Sequence, residues 1–149
     1  HSDYTVPEDD LSVMVVNPTN GDVVRRLDLT PYHGGAIVSG IEVTDDTVSV
    51  RLTVRDDQVN FLGGTHGGVL HSLADCAFSL ASNAHPEDAV AIDTHLAITA
   101  RSDVGEVLTA VAREETLGRS LATYRVDVTR SDGRTVALFT GTVFRIAAS

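Results

Sequence analysis

Two groups near the middle of the chain are of a type that can act on a carbonyl. The first is His66-Gly67-Gly68, which opens a long apolar stretch. The first turn of a helix has N–H groups without internal partners and the positive end of the macrodipole. Glycines there let a ligand oxygen come close to the backbone. Such a run can polarise a carbonyl. It can equally be no more than a tight loop-to-helix turn, and spacing alone does not separate the two. The second group is Asp75, the only Asp, Glu, Lys or Arg between Gly67 and Ala84. A carboxylate in an apolar helix costs on the order of several kcal/mol in desolvation unless it is paired. Either Asp75 reaches the solvent edge, or it is a water-poor carboxylate suited to act as nucleophile or general base.

The elements around these groups follow from the pattern. Gly67 to Ala84 reads as the one long helix, apolar nearly all round through Val69, Leu70, Leu73, Ala74, Ala77, Phe78, Leu80 and Ala81. A helix of that kind is buried. Asn60 to His66 is a Gly-bearing loop before it. Residues 36–43 and 48–54, with a turn at Asp45-Asp46, read as a hairpin. After the helix come strand-like segments at 89–100, 106–115 and 120–129. A turn at Ser131-Asp132-Gly133 leads into a last strand, Thr135–Ile146. Residues 1–19, with Pro7, Pro18 and an acidic patch, read as an N-terminal extension, and 20–149 as the folded domain. A turn is expected at Asn17 to Gly21, then a short helix from Asp22 with Val23, Val24 and Leu27 on one side, ended by Pro31 and Gly34-Gly35. The fold class is α+β: an antiparallel sheet of about five strands wrapped around one central helix.

Helix geometry constrains any joint use of the two groups. Gly67 and Asp75 are eight residues apart, which is about 12 Å along the axis and about 80° around it. One carbonyl cannot touch both within one subunit. If both act, they come from different subunits with antiparallel helices side by side, and a symmetric dimer with two equivalent sites follows.

Composition narrows the function. The 149 residues carry a net charge of −10, and every basic residue is Arg. That acidity argues against sequence-independent nucleic-acid binding, which needs cations to displace counterions. It leaves room for an anionic small ligand held by a few Arg and by backbone N–H groups. No apolar run approaches the roughly 20 residues of a membrane span. The single cysteine, Cys76, excludes a disulfide framework and a thiolate-rich zinc site; it reads as a packed small residue, not a nucleophile. No signal-peptide pattern is seen, so the expected location is cytoplasmic.

One combination is more specific than its parts: Asn60, five residues, His66-Gly67-Gly68, six residues, Asp75. It resembles the signature of PaaI-like hotdog-fold acyl-CoA thioesterases, the phenylacetate-degradation type. Leu73 to Phe78 with Asn83, Gly105 to Ala110, and Thr135 to Gly141 add to the resemblance, which covers roughly Val48 to Ile146. It implies a hotdog fold and hydrolysis of an aryl-acetyl or medium-size acyl-CoA. Asp75 would attack the thioester or activate water. The Gly67 N–H of the partner subunit would be the oxyanion donor, with Asn60 beside it. His66 and Gly68 would support the loop. Coenzyme A would enter as part of the substrate, with no metal and no separate cofactor. The assembly would be a homodimer, or a dimer of dimers.

The chain departs from the resemblance in places. Ile98-Thr99-Ala100-Arg101 lacks the Pro often found there. Arg101 either meets a coenzyme A phosphate or is a plain surface Arg. Asp93 and His95 sit two apart on one strand face, expected to line the substrate site. His71, four residues before Asp75, shares its helix face; it either pairs with Asp75 and lowers its pKa or lines the interface. Two other functions stay open: a non-catalytic acyl-CoA-binding module, and a hydratase or dehydratase built on His71 or His95.

Overall fold

The computed structural model describes residues 47–146 continuously. Before them it describes the backbone of four strands: β1 (Tyr4–Val6), β2 (Ser12–Val16), β3 (Val23–Asp28) and β4 (Gly40–Val43). Then come β5 (Thr47–Thr53), helix α1 (Gly67–Ser82), β6 (Asp88–Ile98), β7 (Val107–Leu117), β8 (Leu121–Thr129) and β9 (Thr135–Ile146).

Alternation along each strand puts one row of side chains on the helix side. On β5, Val48, Val50 and Leu52 are buried between half-buried Thr47, Ser49 and Arg51. The pairing register lines these rows up across the sheet. One row runs Val50, Ala110, Val128, Ala137, Ile98; the next runs Val48, Ala112, Val126, Phe139, Leu96. Seven strands form one antiparallel sheet in the order β1-β4-β5-β7-β8-β9-β6, and β2 pairs with β3 in a separate ribbon. Helix α1 lies across β5, β7, β8, β9 and β6. These five strands are the expected sheet around the helix; β4 and β1 extend it.

Helix α1 is buried through Leu70, Leu73, Ala74, Cys76, Ala77, Phe78 and Leu80. The helix is not covered all round. Gly68, Ser72, Asp75 and Ser79 recur at helical spacing; Gly68 is exposed and the other three are partly exposed. His66 caps the start of α1, its side chain accepting from the Gly68 N–H. At the other end Asn83 donates from Nδ2 to the carbonyls of Ser79 and Ala89 and accepts the Ala89 N–H at Oδ1. The start of β6 is thereby tied to the end of the helix.

The short helix expected from Asp22 is not there: Val23–Asp28 is strand β3, antiparallel to β2. Val23 and Val24 are β-branched and lose χ1 freedom in a helix, and pairing with β2 satisfies the backbone instead. The turns expected at Asn17 to Gly21 and at Asp45-Asp46, and the stop at Pro31 and Gly34-Gly35, lie outside the described residues. Two strands, β1 and β2, fall within the extension read at 1–19, and β1 joins the main sheet through β4. Among the described residues no helix is long and apolar enough to cross a membrane.

Gly141 on β9 lies directly under the Phe78 ring of the helix. A Cβ there would stand 2.7 Å from the Phe78 ring. Gly141→Ala should therefore destabilise the fold by about 1–3 kcal/mol through overpacking. Equilibrium urea unfolding checks this, with the midpoint falling and the slope unchanged.

Candidate active site

The loop before α1 is organised by Asn60. Its Oδ1 accepts the N–H groups of Leu62 (2.9 Å) and Gly64 (3.3 Å). Its backbone N–H donates to the Gly64 carbonyl, and its carbonyl accepts from Gly63. Gly63 takes a φ of +83°, which a side chain would strain. With Oδ1 occupied inside the loop, the Asn60 Nδ2 has no partner among the described residues and is free to donate into the cleft. His66 is held by its own N–H on the Gln58 carbonyl, and its Nδ1 accepts from Gly68 at 2.9 Å. The N–H groups of Val69 and Leu70 turn back to the His66 carbonyl. The Gly67 N–H is left without a partner among the described residues, at the positive end of the helix.

A second segment clamps this loop. Ser102 Oγ donates to Thr65 Oγ1 at 2.7 Å, and Thr65 donates to the Ser102 carbonyl; both residues are buried. Arg101 lies over Gly63 and Gly64, donating from Nη1 to the Leu62 carbonyl and from Nε to Asp103. The result is a cleft lined by Asn60, Leu62, Gly67, Leu70, Ile98 and Arg101. Among the described residues, Arg101 is the one cation on its wall. Ile98 faces Gly67 so closely that a Cβ on Gly67 would lie 3.2 Å from it.

Asp75 sits on the open stripe of α1, half-buried. Burial pushes its carboxyl pKa up, and the nearby His71 pulls it the other way. Burial, with the Asp75 charge beside it, pushes the Cys76 thiol far up, so Cys76 is inert packing. His71 stands edge-on to Phe139, ring centroids 5.5 Å apart, with Nε2 3.5 Å from Thr94 Oγ1.

The structure brings Asn60, His66, Gly67, Gly68 and Arg101 together at the helix start, and Asp75 and His71 together along the open stripe. Asp93 and His95 join neither group. They stand opposite Thr142 and Thr140 of β9, which alternate with buried Phe139 and Val143. Both therefore lie on the sheet face away from α1. Asp93 lines a separate shallow groove there with Glu115, Thr123, Arg125 and Thr140. The expectation of a shared wall ran into parity: the helix-facing residue of that stretch is Thr94, between them. A bulge between Ala91 and Asp93 also switches the faces, so that Val90 points outward and Thr94 inward. Counting back by twos from apolar Ile98 and Leu96 would have found Thr94. The Thr65–Ser102 clamp spans 37 positions of sequence and left no local signal.

Comparison with known proteins gives the family. Residues 62–137 match the family described as the thioesterase superfamily. A putative esterase of Deinococcus radiodurans is 44 % identical over 123 residues, 78 % of this chain and 84 % of that protein. The acyl-coenzyme A thioesterase PaaI of Escherichia coli is 32 % identical over 109 residues, 73 % of this chain and 78 % of that protein. A solved hypothetical thioesterase protein from Streptococcus pneumoniae with coenzyme A superposes with a TM-score of 0.67 at 28 % identity, covering 70 % of this chain and 82 % of that one. With the hotdog arrangement of helix and sheet in place, the chain belongs to the thioesterase superfamily, as a PaaI-like thioester hydrolase.

Proposed function

We propose that the chain hydrolyses an acyl-CoA, with an acyl group of aryl-acetyl or medium size, in a site shared by two copies. The observation that carries this is the placement of Asp75: a half-buried carboxylate on the stripe of α1 that the described sheet leaves partly open. The free Gly67 N–H sits two turns away along the same helix, too far for one carbonyl to reach both. A second copy with its helix antiparallel removes the mismatch. The edge strand β6 supports such pairing, being eleven residues long with Val90, Ile92 and Ile98 about half exposed. The acyl group follows the PaaI-like resemblance, and one solved neighbour is the Escherichia coli PaaI protein from the phenylacetic acid degradation operon.

In this reading the thioester carbonyl oxygen lies at the Gly67 N–H of one copy, which holds the negative charge that develops there. The Asn60 Nδ2 donates beside it. Asp75 of the other copy takes a proton from water as the water oxygen attacks the carbonyl carbon. The C–S bond then breaks, and the proton passes to the departing thiolate, giving free acid and coenzyme A. Direct attack by the Asp75 carboxylate is the other route. It would release the thiol and form a mixed anhydride of Asp75 with the acyl group, which hydroxylamine would trap during a single turnover, whereas water attack forms no such intermediate. Arg101 at the cleft wall would meet a phosphate of coenzyme A.

Asp75→Asn should lower kcat by at least about a hundredfold in a free-thiol assay, with acyl-CoA binding retained. The same substitution should stabilise the protein at neutral pH. The folded-state pKa of Asp75 lies above its unfolded value, so its ionisation reduces stability as pH rises from the unfolded value through the folded one. Thermal unfolding of both proteins at pH 4 and pH 8 checks this: the variant's advantage should be present at pH 8 and absent at pH 4. Hydrolysis by the variant at the wild-type rate would sink the reading.

Asn60→Asp keeps the acceptor that organises the loop but loses the donor into the cleft. It should lose activity with little change in melting temperature, whereas Asn60→Ala should lose both. Refolding Asp75→Asn together with Asn60→Ala should restore about a quarter of wild-type activity, because half the dimers are mixed and each has one intact site. No recovery on mixing would rule out a site shared across copies.

A further inference from the structure

We propose that Arg130, in the turn between β8 and β9, is a positioning residue for coenzyme A recognition: it holds the main chain of Arg101 and, through Glu106, the carboxylate that aims the Arg101 side chain. The inference rests on the reading of Arg101 as the cation that meets a coenzyme A phosphate.

Arg101 stands where the sheet lets go of the chain. Thr99 and Ala100 still donate to the Val136 carbonyl of β9, but residues 101–103 belong to no strand. Their backbone groups need partners from elsewhere. The Arg101 carbonyl accepts from Arg130 Nη1 at 2.8 Å. The Ser102 carbonyl accepts from the N–H and the hydroxyl of Thr65. The Asp103 N–H donates to Glu106 Oε1 at 2.9 Å. The Asp103 carboxylate accepts from Arg101 Nε at 2.8 Å, and Glu106 Oε2 lies 3.8 Å from Arg130 Nε. Both ends of Arg101 thus trace back to Arg130. Its carbonyl is held directly, and its guanidinium through Asp103 and Glu106.

Arg130 itself is not placed to meet a ligand. Its side chain is 19 % exposed, against 57 % for Arg101, and it does not line the cleft. Its main chain is fixed by the turn, the N–H donating to the Arg134 carbonyl and the carbonyl accepting from Gly133. Asp132 takes its Nε and Nη2 at 3.2 and 2.7 Å, so its charge is matched on the spot. Arg101 differs, because its Nη2 has no hydrogen-bond partner among the described residues. A long side chain pays entropy when a ligand immobilises it, and one that is already held pays less. Arg130 therefore acts on coenzyme A only through Arg101.

The test compares KM for an acyl-CoA with KM for the same acyl group on N-acetylcysteamine, a thioester that carries no phosphate. The calorimetric Kd of coenzyme A itself is measured alongside. The variants are Arg101→Met, Arg130→Met, the two together, and Arg134→Met, which removes a like charge from the same turn. Arg130→Met should raise KM for the acyl-CoA and Kd for coenzyme A by about three- to tenfold and leave KM for the short thioester unchanged. Added to Arg101→Met, it should raise neither further. Arg134→Met should change none of them. An equal rise for both thioesters would mean a general loosening of the fold and overturns the proposal. An additive effect in the double variant overturns it too, as does an equal rise in Arg134→Met. If Arg130→Met fails to fold, Glu106→Ala, which removes the second hold, decides by the same signature. Failure is separable from failure of the underlying reading. Coenzyme A binding unchanged in Arg101→Met removes both, whereas binding weakened by Arg101→Met and untouched by Arg130→Met removes this inference alone.

Discussion

Phe78 lies against the bare Cα of Gly141, and this contact sets how α1 rests on the sheet. The ring also meets Phe139 and Tyr124 at centroid distances of 5.3 and 5.8 Å. Burying such a side chain contributes about 1.5–3 kcal/mol, but its larger effect is geometric. With no Cβ at 141, the Phe78 ring drops onto β9, and the rotation of the helix about its own axis is limited by the fit of the ring. That rotation decides which stripe stays uncovered. Gly68, Ser72, Asp75 and Ser79 face outward because Phe78, Leu73, Leu70 and Ala77 face in.

The site inherits its geometry from that docking. The helix start must stop at the loop held by Asn60, and the loop in turn is pinned by the buried Thr65–Ser102 pair. One end of the helix therefore delivers an N–H donor and its middle delivers a carboxylate, both on a rigid element. The free polar groups, Gly67 N–H and Asn60 Nδ2, are left over after the loop has satisfied its own hydrogen bonds. In the proposed reaction, preorganisation of this kind costs nothing further at the moment of bond change.

Asp75 shows the tension between stability and chemistry in one residue. Its burial disfavours the ionised form that the proposed reaction requires, and the fold tolerates this because the stripe is only partly covered. Arg101 shows the opposite case. It has ordinary hydrogen bonds to Leu62 and Asp103, and still contributes the cation of a cleft in a chain with a net charge of −10.

Much of the fold was legible in the residues alone, because periodicity is a local property. Residues 135–146 alternate through a whole strand, and 67–82 repeat at helical spacing without a break, so both elements were expected where they stand. The spacing of Gly67 and Asp75 also settled, before any coordinates, that one chain cannot bring both to a single carbonyl. Residues 23–28 were misread because Val-Val-Arg-Arg-Leu suits either period, and only pairing with β2 chose the strand. The faces of β6 were decided by tertiary structure too. One extra residue between Ala91 and Asp93 exchanges inside for outside, placing Thr94 by His71 and turning Asp93 and His95 away. Sequence carries the repeat of an element; which residue meets which depends on bulges and long-range contacts that no local pattern records.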